Sequence, residues 1–231
     1  MYEIETHNEE LVAQLNDSVC FNEYRAPFDN YHTGLVPRIL GTCFIGMGNL
    51  VYGRAPSYRK FRAIEVIARV PYHSWESAAY TFLTLFYANE VRAIKLSKIA
   101  MFARVAQDNE TMHVVVVTAL AKAENGGGFV AHTLVPVVFA FIYFWIVYLL
   151  YLLSPRAALE LNYHFEQHAF DQYNEFITEH EEELKRKTVT SAFLDWYGRK
   201  AVNQYELFRS IRNDELIHRN RSIREIGMHT R

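Results

Sequence analysis

Four glutamates fall on the apolar faces of four separate helical stretches, and this constrains the fold more than any other feature of the sequence. From about Glu90 to Ala123, the residues Phe102, Ala106, Glu110, His113, Val117 and Leu120 share one face at helical spacing. In the last stretch, about Asn203 to Ile226, Phe208, Ile211, Glu215 and His218 do the same. Glu65 shares a face with Phe61, Ala68 and Tyr72, and Glu166 with Tyr163, Phe170 and Tyr173. A carboxylate buried alone costs several kcal/mol or takes up a proton. Four such costs rival the whole stability of a domain, roughly 5–15 kcal/mol. Few lysines or arginines fall on these faces to offset them.

Two divalent ions would balance the four carboxylates and take the two imidazoles as further ligands. One Glu from each of two helices plus Glu-x-x-His from each of two others is the donor set of di-iron and di-manganese carboxylate bundles. Oxygen with imidazole nitrogen suits iron or manganese more than copper. A lone Glu-x-x-His is usually an exposed helix pair worth a few tenths of a kcal/mol. "ETMH" and "ELIH" gain their meaning from the other two helices.

Strand-like alternation is nearly absent, so the predicted class is all-α: a four-helix bundle of the ferritin-like di-iron carboxylate type with additional helices at a membrane interface. Residues 1–56, with scattered Gly and Pro, read as an N-terminal arm holding short helical pieces, and 57–231 as a single bundle domain. The spacing predicts helices from Ser57 to about Asn89 with a break at Pro71, from Glu90 to Ala123, from Pro155 to Lys187, and from Asn203 to Ile226. A shorter element falls around "AFLDWYG". The formal charge of -2 and the lack of a basic stripe argue against a nucleic-acid partner. Cys20 and Cys43 form no C-x-x-C, so neither a disulfide framework nor a thiolate metal site is expected. The N-terminus is acidic where a targeting peptide is basic; either none is needed or a presequence is missing.

Leu134 to Leu153, "LVPVVFAFIYFWIVYLLYLL", is long enough to cross a bilayer. Two of the glutamates precede it and two follow, however, and a single crossing would part them by about 30 Å of hydrocarbon. With no second run of sufficient length expected, the helix is placed in the interface plane, with Arg59, Lys60 and Arg62 toward lipid headgroups.

Four segments carry a family likeness: "YGRAPSYRKFRAIEVIARVPY", "DNETMH", "SPRAALELNYHFEQHAFDQY" and "IRNDELIH". Over about Leu35 to His229 the chain resembles the alternative oxidases, membrane-bound di-iron quinol oxidases, and "ARVPY" is the wording of their plastid terminal oxidase branch. The resemblance implies two irons held by Glu65, Glu110, His113, Glu166, Glu215 and His218. It makes Tyr173 the tyrosine that supplies an electron and a proton, and Asn109 and Asp214 residues that orient ligands by hydrogen bonding. It puts Lys60, Ile64, His168 and Ala169 at the quinol pocket. Lys60 stands where mitochondrial relatives have Arg, and Gln167 and His168 replace their further glutamates.

The implied activity is oxidation of ubiquinol or plastoquinol with reduction of dioxygen to water, without proton pumping. The implied setting is a homodimer on one leaflet of a plasma, thylakoid or organelle membrane. Rival readings are a demethoxyubiquinone hydroxylase-like di-iron monooxygenase and a non-catalytic membrane-associated scaffold.

Overall fold

The computed structural model of the chain describes residues 8–124 and 127–229. Eleven α-helices occur among them: α1 Glu9–Gln14, α2 Ser18–Arg25, α3 Leu35–Tyr52, α4 Tyr58–Ala68, α5 Val70–Phe86, α6 Glu90–Ala123, α7 Val135–Leu153, α8 Pro155–Glu179, α9 Glu181–Arg186, α10 Ala192–Tyr197 and α11 Gln204–His229. Thr188 and Asn203 form an isolated antiparallel bridge. The all-α expectation holds.

Local chemistry starts the helices where the sequence indicates. The Ser57, Asn89 and Ser154 side chains accept from the backbone N–H of Lys60, Arg92 and Ala157, capping α4, α6 and α8. Pro155 opens α8 at a position that needs no N–H donor. Pro71 lies in the first turn of α5, and the chain breaks from α4 at Arg69. The bundle forms as α8 packs along α11 and α4 along α6, with α5 and α7 flanking. One apolar cluster, including Trp75, Ile99, Tyr143 and Leu159, lies under α5 to α8. A second, with Phe61, Met112, Tyr173 and Phe208, lies under α4, α6, α8 and α11.

Four expectations need correction. Residues 35–52 are one 18-residue helix rather than short pieces. Pro37 falls in its first turn, where it is tolerated, and a Cβ on Gly41 would stand 3.0 Å from His164 Cβ. That glycine brings α3 close to α8 instead of ending a helix. The apolar run 134–153 is consequently not alone: α3 is also long and apolar enough to cross a membrane. The helix expected to run from Pro155 to Lys187 breaks at His180, which leaves helical geometry at φ -115° and ψ 19°. Finally, Lys60 is buried and Arg62, half-buried, donates to Thr133 Oγ1 at 2.7 Å, so of the three basic residues expected at the headgroups Arg59 is the exposed one.

Phe44 of α3 meets Phe139 and Tyr143 of α7 at ring distances of 5.5 and 5.7 Å, and Tyr52 donates to Ala131 O at 2.7 Å. The two apolar helices therefore lie on one flank. Only 11% of the most apolar window of α3 and 17% of that reaching through α7 is buried.

Candidate metal centre

α4 brings Glu65 to the bundle axis, α6 brings Glu110 and His113, α8 brings Glu166, and α11 brings Glu215 and His218. All six are buried, at most 3% exposed. They form two overlapping groups of potential ligands: Glu65, Glu110, His113 and Glu215, and Glu110, Glu166, Glu215 and His218. Within each group one donor atom per residue lies inside 4.8 Å of the others. Glu110 and Glu215 belong to both groups, the arrangement of two ions with two shared carboxylates.

His113 Nδ1 stands 3.4 Å from Glu110 Oε2, 3.3 Å from Glu215 Oε1 and 3.7 Å from Glu65 Oε2. His218 Nδ1 stands 2.8 Å from Glu110 Oε1 and 3.9 Å from Glu166 Oε2. Among the described residues these imidazoles are the ion-pair partners of the four glutamates, with no Lys or Arg beside them. Both carboxylate oxygens of Glu110 and of Glu215, Glu65 Oε2, His113 Nδ1 and His218 Nδ1 are buried without a hydrogen-bond partner. Buried polar atoms are nearly always satisfied, so a cluster of exceptions aimed at one space is the donor pattern of a cation site. This donor set fits two divalent ions.

Electrostatics give the same picture. Burial, with Glu110 next to it, pushes Glu65 up to about 8. Burial and the charges of Glu110 and Glu166 raise Glu215 well above the carboxylate range, and burial raises Glu166. Burial opposes the ionised form of Glu110 too, but His113 and His218 hold it down at about 2. Burial would lower His113, yet Glu110 and Asp214 raise it, and Glu110 likewise raises His218.

The raised groups bind protons more tightly in the folded chain, so their stabilisation is present at low pH and lost as pH rises through their folded values. Glu110 and the depressed Asp214 act oppositely, losing theirs as pH falls below roughly 4. The Tm of metal-free protein is therefore expected to fall between about pH 5 and pH 8, and ferrous iron to restore it by replacing protons. Thermal melts across pH with and without iron check this; a metal-free Tm that climbed over that window would contradict it.

The residues expected to orient ligands sit around His113. Asp214 Oδ2 is 2.9 Å from His113 Nε2, which leaves Nδ1 toward the glutamates. Asn109 does not reach a ligand; its amide donates to Asp214 at 3.3 Å and to the Tyr197 hydroxyl at 3.2 Å. Arg199, unremarked in the sequence, clamps Asp214 with two guanidinium nitrogens and reaches Glu9 of α1 at 2.8 Å. It follows Gly198, the left-handed end of α10 at φ 92°, and no periodicity marks it.

The Tyr173 hydroxyl donates to Glu65 Oε1, and its ring stacks on Phe61 at 4.1 Å. A second buried tyrosine, Tyr72, donates to Glu166 Oε1 at 2.6 Å. Burial, then the neighbouring carboxylates, raises both phenols well above their usual range, so both are protonated.

Lys60, Ile64, His168 and Ala169 all line one apolar cavity, walled by Phe44 and Asn49 of α3 and Phe139 and Tyr143 of α7, with Glu166 on its wall. The Lys60 ammonium donates to Asn49 Oδ1 at 3.0 Å, to Arg54 O at 2.7 Å and to Gln172 Oε1. All three of its donors are thereby used. Burial, reinforced by Lys60, lowers His168 to about 4 and keeps it neutral near pH 7.

A family model described as alternative oxidase matches residues 37–224, about four fifths of the chain and every residue of the centre. The chain belongs to the alternative oxidase family. It is also similar to a protein named ubiquinol oxidase 4, chloroplastic/chromoplastic, from Arabidopsis thaliana, at 28% identity over 185 residues. That match covers 71% of this chain and 50% of the relative, so the chain spans about half the length of the curated relative it matches. No solved structure matches it.

Proposed function

We propose that this member of the alternative oxidase family is a membrane-bound, non-haem di-iron quinol oxidase of the plastid terminal oxidase type. It oxidises ubiquinol or plastoquinol and reduces dioxygen to water without pumping protons. The observation that carries the reading is the pair of buried ligand groups with unpartnered donor atoms, joined through Glu166 to an apolar cavity that opens beside α3 and α7.

Two irons bound by Glu65, Glu110, His113, Glu166, Glu215 and His218 would supply the oxygen-binding positions and one-electron steps that the chain itself lacks. The protein's part is positioning and proton handling. Asp214, clamped by Arg199, fixes the His113 ring. Tyr173 holds its hydroxyl proton against Glu65 Oε1; Glu65, ionised when it serves as an iron ligand, could accept that proton as the Tyr173 ring gives an electron toward dioxygen reduction. In the cavity, neutral His168 and the polar cluster at Lys60 meet the quinol hydroxyls, and the apolar walls exclude water.

Oxygen uptake by purified protein with ubiquinol and plastoquinol analogues, in the presence of cyanide, tests the activity. The expected result is one dioxygen consumed per two quinols oxidised. Oxygen incorporated into the quinone would instead favour the hydroxylase reading, and no uptake with either quinol would favour the scaffold.

The membrane placement is monotopic, with a homodimer on one leaflet. α7 packs against α5 and α8: Ser74 donates to Phe144 O at 3.1 Å, Thr81 meets the Tyr148 hydroxyl at 2.9 Å, and Tyr143 meets Phe165 at 5.6 Å. A crossing along α7 would carry the charged residues of α8 into hydrocarbon at several kcal/mol. Lying flat, α7 buries Tyr143, Val147 and Tyr151 in the protein and offers Phe141, Ile142, Trp145 and Leu149 to lipid, as α3 offers Ile39 and Leu50.

Replacing the 71% exposed Phe141 and the 86% exposed Leu50 by Glu removes roughly 1.5–3 kcal/mol of apolar transfer at each site. Membrane affinity is then expected to drop at least about a hundredfold with the helical fold intact. Flotation with liposomes reads this; undiminished binding would refute the placement.

A further inference from the structure

Resting on the di-iron reading, we propose that Tyr72 is a positioning residue for the second iron, the counterpart of Tyr173 on the other side of the centre. The two tyrosines stand in a crossed relation. Tyr72 lies seven residues after Glu65 and donates to Glu166, whereas Tyr173 lies seven residues after Glu166 and donates to Glu65. Tyr173 thus reaches Glu65 from α8, the helix of Glu166, and Tyr72 reaches Glu166 from the first turn of α5, just past the break that ends the Glu65 helix.

On the Tyr72 side the hold is double. Asn162, one turn before Glu166, has its amide nitrogen 2.9 Å from Glu166 Oε1, 3.0 Å from the Tyr72 hydroxyl and 3.2 Å from Ser222 Oγ, so its two N–H groups are shared among these three acceptors. Ser222, one turn beyond His218, donates to His218 O at 2.9 Å. Tyr72, Asn162 and Ser222 are at most 1% exposed, so none of these bonds is exchanged for water at no cost. Glu166 Oε1 accepts from both Tyr72 and Asn162, whereas Oε2, 3.9 Å from His218 Nδ1, is the oxygen that would be free to hold a metal ion. The Tyr72 ring also packs 5.3 Å from the His218 ring, so one side chain borders both terminal ligands of the second group. Among the described residues, Glu65 Oε1 accepts from Tyr173 and Glu65 Oε2 is buried without a hydrogen-bond partner, so Glu65 has no such second donor.

The consequence is an asymmetric centre: Asp214 steadies His113 in the first group, whereas Tyr72 and Asn162 steady Glu166 in the second, with Tyr72 setting the geometry of that ligand. Groups that orient metal ligands typically contribute about 10- to 100-fold in affinity. Ferrous iron is titrated into metal-free wild-type protein, Tyr72→Phe, Asn162→Ala and the double variant, followed by Mössbauer spectra of the iron-57 forms. Trp75→Phe, which alters a buried neighbour of Tyr72 without touching a ligand, serves as the packing control.

Tyr72→Phe and Asn162→Ala should each weaken one of the two irons about tenfold or more, and shift one of the two iron signals. The double variant should weaken the same iron further. Turnover of Tyr72→Phe should return to within a few-fold of wild type at saturating iron, as befits a residue that acts through Glu166. Unchanged iron affinity and spectra in both single variants, or an equal loss in Trp75→Phe, would overturn the proposal. So would activity that stays abolished in iron-saturated Tyr72→Phe, because Tyr72 would then take part in the chemistry itself. Wild-type protein that took up no iron would overturn the di-iron reading on which this rests, an outcome separate from all of these.

Discussion

Replacing Glu110 by alanine is expected to leave a helical protein that holds neither iron and oxidises no quinol. Glu110 is one of two residues common to both ligand groups, and both of its oxygens are buried without a hydrogen-bond donor. Removing it takes a donor from both groups and leaves His218 without its nearest carboxylate and His113 without one of the three that face its Nδ1. Loss of a group that merely orients a ligand costs about 10- to 100-fold in affinity, so loss of a shared ligand should exceed that at both positions. Glu65→Ala, which touches the first group alone, should keep one iron bound. Glu110→Gln, which retains volume but not charge, should resemble Glu110→Ala. Iron content by elemental analysis, with far-ultraviolet circular dichroism for the fold, separates the cases. Two irons retained in Glu110→Ala would mean that the six residues are not the ligands.

The centre was legible because its information is local. A glutamate three residues before a histidine on an apolar face needs only helical periodicity to be noticed, and the four faces can be compared without knowing how the helices pack. What the sequence hid depends on through-space partners or on how a glycine is used. Tyr72 was visible on the Glu65 face, but its partner is 94 residues away on α8. Arg199 lies in no periodic pattern and finds Asp214 only after α10 turns back at Gly198. α3 was missed because Gly41, Gly46 and Gly48 look like helix breakers, although Gly41 allows close packing on His164. The apolar run of α7 is not alone on its flank, because α3, packed along α8, meets it through Phe44 against Phe139 and Tyr143. Helical spacing alone leaves Lys60 open to both the headgroups and the quinol pocket; inside the fold, Asn49, Arg54 and Gln172 satisfy all of its donors beside the cavity.

Tyr173→Phe is expected to cost about two to three orders of magnitude in turnover at saturating iron, the scale set by loss of a positioned proton-transfer group. The substitution keeps the ring against Phe61 and Phe208, so the core is little disturbed. It removes the hydroxyl that donates to Glu65 Oε1 and leaves that buried oxygen short of a partner, a stability cost of about 1–3 kcal/mol. It also makes the ring harder to oxidise, since a phenylalanine has no phenolic proton to release along with an electron. Glu65 is held less firmly, so the first iron should bind more weakly, which is why the comparison is made with iron in excess. Saturation separates the two roles. If Tyr173 only steadied Glu65, excess iron would return the variant to near wild-type turnover, as it should for Tyr72→Phe. If the hydroxyl supplies an electron and a proton, the deficit persists with both irons bound. Oxygen-uptake rates of the two variants, measured side by side over an iron titration, decide between the roles, and recovery of Tyr173→Phe would reduce Tyr173 to a residue that packs and positions.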